Sequence, residues 1–443
     1  MSDRPTELSL PDALRHAIEL HRSGQLQGAD TLYRRILAVA PDYADAVHFL
    51  GLLLHHRDGS DEGLALLDRS IALDPTAGRY NNLACALLER DRLPDAVDAF
   101  EQSLELEPHN ADVLNNLGSV HKALGRFDDA ERIYLAALAA DPRNVGALTN
   151  LGNLRSEQRR NHEAVDFYWK VLSIHPSQAR TRQRLGFAYY MLKEYDAAAN
   201  VFRKWLEEEP HNPTASHMLA ACSGVGVPVR ASDEYVEKTF DDFAESFDAK
   251  LAALEYRAPQ LVCDALAKLV GAPASDRAIL DAGCGTGLCG PLLAPYASRL
   301  VGVDLSARML DGARLRGVYH ELVKAELTEL IASLPPATWD VIVSADTLCY
   351  FGALDTVFGA AARALRDGGL LIFTAESVAP ELAPNGHRIN PHGRYSHTRA
   401  YLEQALAGSG FALDACEPNV LRTENKDPVD GFLVAARKLG PGA

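Results

Sequence analysis

The spacing of apolar and polar positions changes its period once along the chain. Through residues 10–222 apolar side chains recur three and four positions apart, which marks one face of a helix. That pattern itself repeats, with prolines at 41, 75, 108, 142, 176 and 210, at intervals of 33 or 34 residues. A small residue follows leucine at each step, in Leu50-Gly51, Leu83-Ala84, Leu117-Gly118, Leu151-Gly152 and Leu185-Gly186. Alanines at 29, 96, 130, 164 and 198 each precede, by one helical turn, an aromatic: Tyr33, Phe100, Tyr134, Tyr168 and Phe202. Six two-helix hairpins are predicted from about Leu10 to Pro210, with 213–222 in a capping helix. Repeat two departs from the pattern, with Gly63 and Leu67 where alanine and an aromatic are expected. Beyond residue 233 short apolar runs alternate with helical stretches. The runs are Ile279-Leu280, Arg299 to Asp304, Glu321 to Leu327, Trp339 to Asp346 and Leu370 to Glu376. This alternation predicts an α/β, doubly wound parallel sheet. Phe411 to Leu421 and Gly431 to Arg437 flank a polar turn, Asn425 to Pro428, with no room for a crossover helix, and so predict an antiparallel hairpin. Ser223 to Arg230, bearing glycine and proline, separates a domain at 1–222 from one at 223–443.

The period is that of tetratricopeptide repeats, and the first half resembles an array of them. The resemblance implies an all-α superhelix whose surface binds a protein or peptide, either as substrate or as escort. Asn82, Asn116 and Asn150 recur at 34-residue steps on first helices. They resemble the asparagine ladders with which some repeat superhelices grip an extended peptide, since a carboxamide both donates and accepts. Equally, asparagine there belongs to the repeat consensus. Phe49 and Arg184 interrupt the series at either end.

Asp281-Ala-Gly-Cys-Gly-Thr-Gly287 follows the apolar run at Ile279, precedes a helix predicted from Leu288 to Ala297, and is followed by a second run ending in Asp304. A strand, a glycine loop, a helix and a strand tipped by an acid form a nucleoside pocket, with the acid accepting from ribose hydroxyls. One reading is a dinucleotide site, in which glycines pack against a pyrophosphate. The other is a cationic ligand, because the Asp281 carboxylate would repel a phosphate. The stretch resembles motif I of the class I S-adenosylmethionine-dependent methyltransferases. That resemblance implies S-adenosylmethionine as cofactor. It implies a contact set of Asp281, Gly283, Cys284, Gly285, Thr286, Gly287, Asp304, Leu305, Glu326, Leu327 and Asp346. It also implies a lid over 233–258, where Phe240, Phe243 and Phe247 resemble the family's aromatic segment. A terminal reversed strand is a signature of the same family. With an N-terminal repeat array, the chain resembles predicted bacterial repeat-containing methyltransferases.

Methyl transfer from a sulfonium needs positioning more than acid–base chemistry, so catalytic residues are less legible. Asp346 and Tyr350, after the fourth strand, are expected to line the acceptor site, though Asp346 equally fits as a helix cap. His387, His392 and His397, with Arg394 and Tyr395, are expected in a long polar loop between the fifth strand and a helix beginning near Ser396. His397 stands where the next helix would hold it as a base. The net charge of −16 and the lack of a basic cluster argue against nucleic acid. Cysteines at 85, 222, 263, 284, 289, 349 and 416 form no Cys-x-x-Cys pair, which argues against a metal site and for a reducing cytoplasm. The first residues carry no secretory signal, and no apolar stretch reaches membrane-spanning length.

Overall fold

The amphipathic repeats fold as their period requires. The computed structural model describes residues 8–424 and 427–440; Asn425 and Lys426 of the expected polar turn lie outside them. By compactness the chain divides into two units, Met1–Leu192 and Lys193–Ala443. The first contains eleven helices among the described residues, from Leu10–Arg22 to Ala179–Met191. Within a hairpin, glycine on one helix accommodates the aromatic of the other. A Cβ on Gly118 would stand 2.6 Å from the Tyr134 ring, and one on Gly152 2.6 Å from the Tyr168 ring. Repeat two reaches the same closeness from the opposite helix. There a Cβ on Gly63 would lie 2.8 Å from the His55 nitrogen, and Leu67, wholly buried, fills the place of the aromatic. Polar links span one period: Arg79 pairs with Asp45, and His55 Nε2 lies 2.8 Å from Glu89 Oε2.

The asparagine series is engaged within this array. Asn82 Nδ2 lies 3.0 Å from His48 Nε2, and Asn116 Nδ2 donates to Cys85 Sγ at 3.9 Å. Asn150 Nδ2 donates to Asn115 Oδ1 at 2.9 Å and to Ser119 Oγ at 3.2 Å. The amide donors expected to grip a peptide therefore link one repeat to the one before it.

The second unit begins with helices Tyr195–Glu208 and Pro213–Ser223, upstream of the division expected at 222/223. Its sheet has nine strands: β1 (Arg277–Ala282), β2 (Ala297–Asp304), β3 (Glu321–Lys324), β4 (Trp339–Ser344), β5 (Leu365–Ser377), β6 (His387–Ile389), β7 (Tyr395–His397), β8 (Phe411–Glu424) and β9 (Asp427–Lys438). The order β3-β2-β1-β4-β5 is parallel throughout, the doubly wound arrangement expected. β9 runs antiparallel to β5 over Leu370 to Glu376 and carries β8 on its other edge, which is the reversed hairpin. Alternate strand residues feed opposite faces. Leu280, Val301 and Ile342 pack toward helices Asp355–Ala364 and Arg399–Gly408, whereas Ile279, Leu300 and Val341 pack toward helix Ala258–Val270.

Two local expectations are corrected. The helix predicted over Leu288 to Ala297 is a single turn, Gly290–Leu293, followed by a 3-10 turn. Pro295 lacks the N–H an α-helix would need there. The polar loop expected between the fifth strand and the helix near Ser396 contains β6, paired antiparallel with β7, which pairs parallel with the end of β5, and the helix begins at Arg399. Among the described residues no helix is long and apolar enough to cross a membrane.

Candidate functional site

At the end of β1 the chain turns through three glycines in the left-handed region, Gly283 (φ 79°), Gly285 (φ 53°) and Gly287 (φ 80°). The Gly283 and Cys284 N–H groups both donate to the Val303 carbonyl at 2.9 Å, which fixes the loop to β2. Asp304, the last residue of β2, accepts from the Gly285 N–H at 2.9 Å and from the Ser306 N–H at 2.9 Å. Burial raises its pKa, and these main-chain donors oppose the rise.

Asp281 is corrected. It lies wholly buried beside Tyr319, whose hydroxyl donates to Oδ2 at 2.6 Å. It is not among the residues that line the cavity. Its Oδ1 has no partner among the described residues. Burial raises its pKa to about 7 against the pull of the Tyr319 hydrogen bond. Gly287 also stands off the cavity, since a Cβ on it would lie 2.9 Å from the Tyr319 ring. Its role is close packing.

A cavity of about 370 Å³ opens over the loop, within the usual range for small-molecule sites. One end is lined by Gly283, Cys284, Gly285 and Thr286, with Asp304 and Leu305 beside them and Glu326 and Leu327 beyond. A Cβ on Gly285 would meet only the Phe247 ring, at 3.8 Å, so this glycine leaves open space for a ligand against the main chain. Glu326 accepts from the Glu329 N–H at 2.7 Å and caps helix Leu327–Ser333. The segment expected as a lid forms helices Asp233–Phe243 and Phe247–Ala253 joined by a 3-10 turn. Phe240, Phe243 and Phe247 all line the cavity. Polar ties fasten the segment: Asp248 accepts from Thr286 Oγ1 and pairs with Arg316, and Lys324 Nζ donates to Glu237 Oε1 at 2.6 Å.

The other end is lined by Asp346, Tyr350, Tyr256, Arg394, Arg422 and Glu424. Asp346 is held in the left-handed region (φ 57°), a strained setting for a residue with a side chain. Its N–H donates to Thr374 Oγ1 at 2.9 Å, and its Oδ2 accepts from Arg422 Nη1 at 2.5 Å. It therefore pairs with a cation and does not cap a helix. Arg422 also donates to Glu376 and, through Nε, to Glu424 at 2.7 Å. Arg394 donates to the same two acids, at 2.6 Å and 2.7 Å. Although burial opposes ionisation, the two guanidinium groups hold the Glu376 carboxyl down at about 2. Asp346, Cys349 and Glu376 bring three possible metal-ligand atoms within 4.8 Å of one another, yet Arg422 already donates to both carboxylates. Tyr350 sits edge-on to Phe240 with ring centroids 5.5 Å apart, and burial pushes its pKa up.

His397 is also corrected. It lies on β7, wholly buried, with Nε2–H donating to the Gly352 carbonyl at 3.0 Å. It does not line the cavity. Burial holds its pKa down at about 4, so the ring is neutral and engaged in packing against Tyr401. His392 is likewise held near 4 by burial, with Nε2 3.7 Å from Glu376 Oε2. The residues missed from sequence were Glu376, Arg422 and Glu424. A signal existed, because Ala375-Glu376 and Leu421-Arg422 place charges inside otherwise apolar strand ends, where an unpaired ion would be costly.

Residues 280–373 match the family model described as a methyltransferase domain. Tetratricopeptide repeat models match residues 14–78, 81–144, 117–179 and 156–222. Methyltransferase-like protein 27 of Homo sapiens is 37% identical over 105 residues, covering 24% of this chain and 43% of that protein. The ubiquinone biosynthesis O-methyltransferase of Thiobacillus denitrificans is 32% identical over 109 residues, 23% of this chain and 46% of that protein. A malonyl-[acyl-carrier protein] O-methyltransferase of Serratia marcescens is 29% identical over 141 residues, 31% and 51% respectively. The chain thus spans about half the length of the curated relatives it matches. Glycine loop, acid-tipped second strand, reversed terminal strand and family matches agree: this chain carries a methyltransferase domain that follows an array of tetratricopeptide repeats.

Proposed function

We propose that the protein is a methyltransferase whose repeats recruit a protein, as acceptor or as escort, in the cytoplasm. The observation that carries the transferase reading is Asp304, tied to the Gly285 N–H and lining one cavity with the glycine loop. A pyrophosphate is disfavoured, because the helix after the loop is one turn long and offers little dipole. In this reading Asp304 accepts from the ribose hydroxyls, while Leu305, Glu326 and Leu327 flank the adenine. S-adenosylmethionine, when bound, supplies an activated methyl group. The chain's own part is to hold the acceptor in line and exclude water, for which positioning alone supplies roughly 7–11 kcal/mol. Phe240, Phe243 and Phe247 exclude water, and Asp346 and Tyr350 border the acceptor. Calorimetry with S-adenosylhomocysteine tests the cofactor site: wild type binds, and equal binding by Asp304→Ala removes the reading.

A second reading, a small-molecule acceptor, is favoured by the aromatic walls of the cavity and by the names of the relatives. Tritiated S-adenosylmethionine incubated with the protein and a cell lysate separates the two. Label in the protein fraction supports recruitment; label confined to small molecules overturns it.

A further inference from the structure

The last helix of the repeat pattern ends on the transferase. Pro213–Ser223 follows Pro210, the sixth proline of the series, and falls within the repeat match at 156–222. Its contacts nevertheless lie inside the second unit. His217, 4% exposed, stacks on Tyr235 with ring centroids 3.9 Å apart and planes 21° from parallel. Its Nε2 lies 2.7 Å from the Gly393 carbonyl oxygen. A carbonyl only accepts, so Nε2 carries the proton. Burial disfavours the charged ring, which leaves the neutral tautomer that donates here.

The turn that receives this bond is closely fitted. Gly393 has φ 90°, and a Cβ on it would stand 3.0 Å from the Tyr235 hydroxyl and 3.3 Å from the His217 ring. Inside the turn the Gly393 N–H donates to the Asn390 carbonyl at 2.8 Å, and Asn390 Nδ2 donates to the Arg394 carbonyl at 3.1 Å. Ala221 packs with Ile389 and Tyr395 on the strands either side. The next residue, Arg394, lines the cavity and donates to Glu376 and Glu424. One short, rigid turn therefore connects the helix to the ionic end.

We infer that helix Pro213–Ser223 is a supporting wall of the acceptor end, and that His217 is a positioning residue that sets Arg394 through the Asn390 to Arg394 turn. This rests on the methyltransferase reading for the meaning of "acceptor" but on geometry alone for the positioning. Within the second unit, what displaces this helix displaces a guanidinium in the cavity.

The test uses the full chain with His217→Leu, which fills the space without donating, and His217→Gln, which retains a donor. Three quantities are read: S-adenosylhomocysteine affinity, amide hydrogen exchange over 389–395, and transfer of tritiated methyl to lysate acceptors. For His217→Leu the affinity stays within about twofold, because the glycine end is untouched, while transfer falls on the order of 10²-fold, the scale of an ångström misplacement. Exchange over 389–395 accelerates at least about tenfold with β1 to β4 unchanged. His217→Gln recovers a substantial part of both. The inference is overturned if His217→Leu leaves exchange and transfer unchanged, if exchange rises equally across the sheet, or if His217→Gln is no better than His217→Leu. Should wild type bind no S-adenosylhomocysteine and transfer no label, the methyltransferase reading falls. The exchange pattern then decides the positioning role by itself, with unchanged protection over 389–395 overturning it.

Discussion

The two ends of the cavity are built by opposite means. At the glycine end, polar atoms are satisfied largely by main chain and by neighbours brought in by two adjacent strands, with Gly283, Cys284 and Gly285 bonded to Val303 and Asp304. At the ionic end, Asp346, Glu376, Arg394, Arg422 and Glu424 come from the loop after β4, β5, the β6–β7 turn and β8, and each charge has a partner remote in sequence. The first is a local solution that a strand–loop–strand unit carries with it. The second exists only when the whole sheet is assembled.

The sharpest way to break this contrast is Arg422→Met, which leaves three acids around a missing cation. Removing one side of a buried ionic network costs about 3–5 kcal/mol, and a urea titration should show a loss on that scale. A change under 1 kcal/mol would place the network in effectively solvated surroundings. Next in size is Gly283→Ala, whose Cβ would overlap the Thr347 side chain at φ 79°. Left-handed strain alone costs about 1–2 kcal/mol, and the overlap adds to it, so stability falls by roughly 2–3 kcal/mol and S-adenosylhomocysteine binding weakens with it. Calorimetry and denaturation together check this.

Asp304→Asn tests the glycine end more gently. It keeps shape but weakens charge-assisted hydrogen bonds, worth about 1.5–3 kcal/mol. Affinity for S-adenosylhomocysteine should therefore fall on the order of ten- to a hundredfold, with the fold retained by circular dichroism.

Smallest per step, though it accumulates over several pH units, is a slope that differs in sign between Glu376 and Asp281. Glu376 has a folded pKa of about 2 against an ordinary 4.5, so its contribution is full above 4.5 and is lost as pH falls toward 2. Asp281 has a folded pKa of about 7 against 3.8. The native state holds its proton longer than the unfolded chain does, and stability falls as pH rises through that window. Asp281→Asn should flatten the dependence between pH 4 and 7 by at most about 1.4 kcal/mol per pH unit. An unaltered slope in urea midpoints against pH would mean that Asp281 ionises normally.

Much of the architecture was legible because it is periodic or local. The repeats follow from prolines and from the pairing of glycine with an aromatic, and Gly118 against Tyr134 supplies the reason. The parallel doubly wound sheet follows from the alternating runs, and the reversed hairpin from its short polar turn. Asp304 and the glycine loop were readable because strand end, turn and acid lie close along the chain. Asp281 and His397 were misread for one shared reason. Sequence marks a polar residue beside a motif, but the direction of its side chain depends on tertiary packing, here against Tyr319 and Gly352. The ionic end was invisible as a unit, since nothing in the spacing of Glu376, Arg394 and Arg422 joins them until β9 aligns against β5. The helix at 213–223 kept the repeat period while its contacts belonged to the other unit, which is why period and packing divide the chain at different points.

The reversed hairpin has a consequence for biosynthesis. β8 supplies Arg422, and β9 is the strand that fixes β8 to β5. During translation the glycine loop emerges early and closes on β2 soon after, and Glu376 meets Arg394 next, but the Asp346 carboxylate has its cation, Arg422, only once β8 is made. Until the β8–β9 hairpin leaves the ribosome, burying that carboxylate is unfavourable. The Asp346–Arg422 pair is therefore among the last contacts to form, after the terminal hairpin has docked on β5.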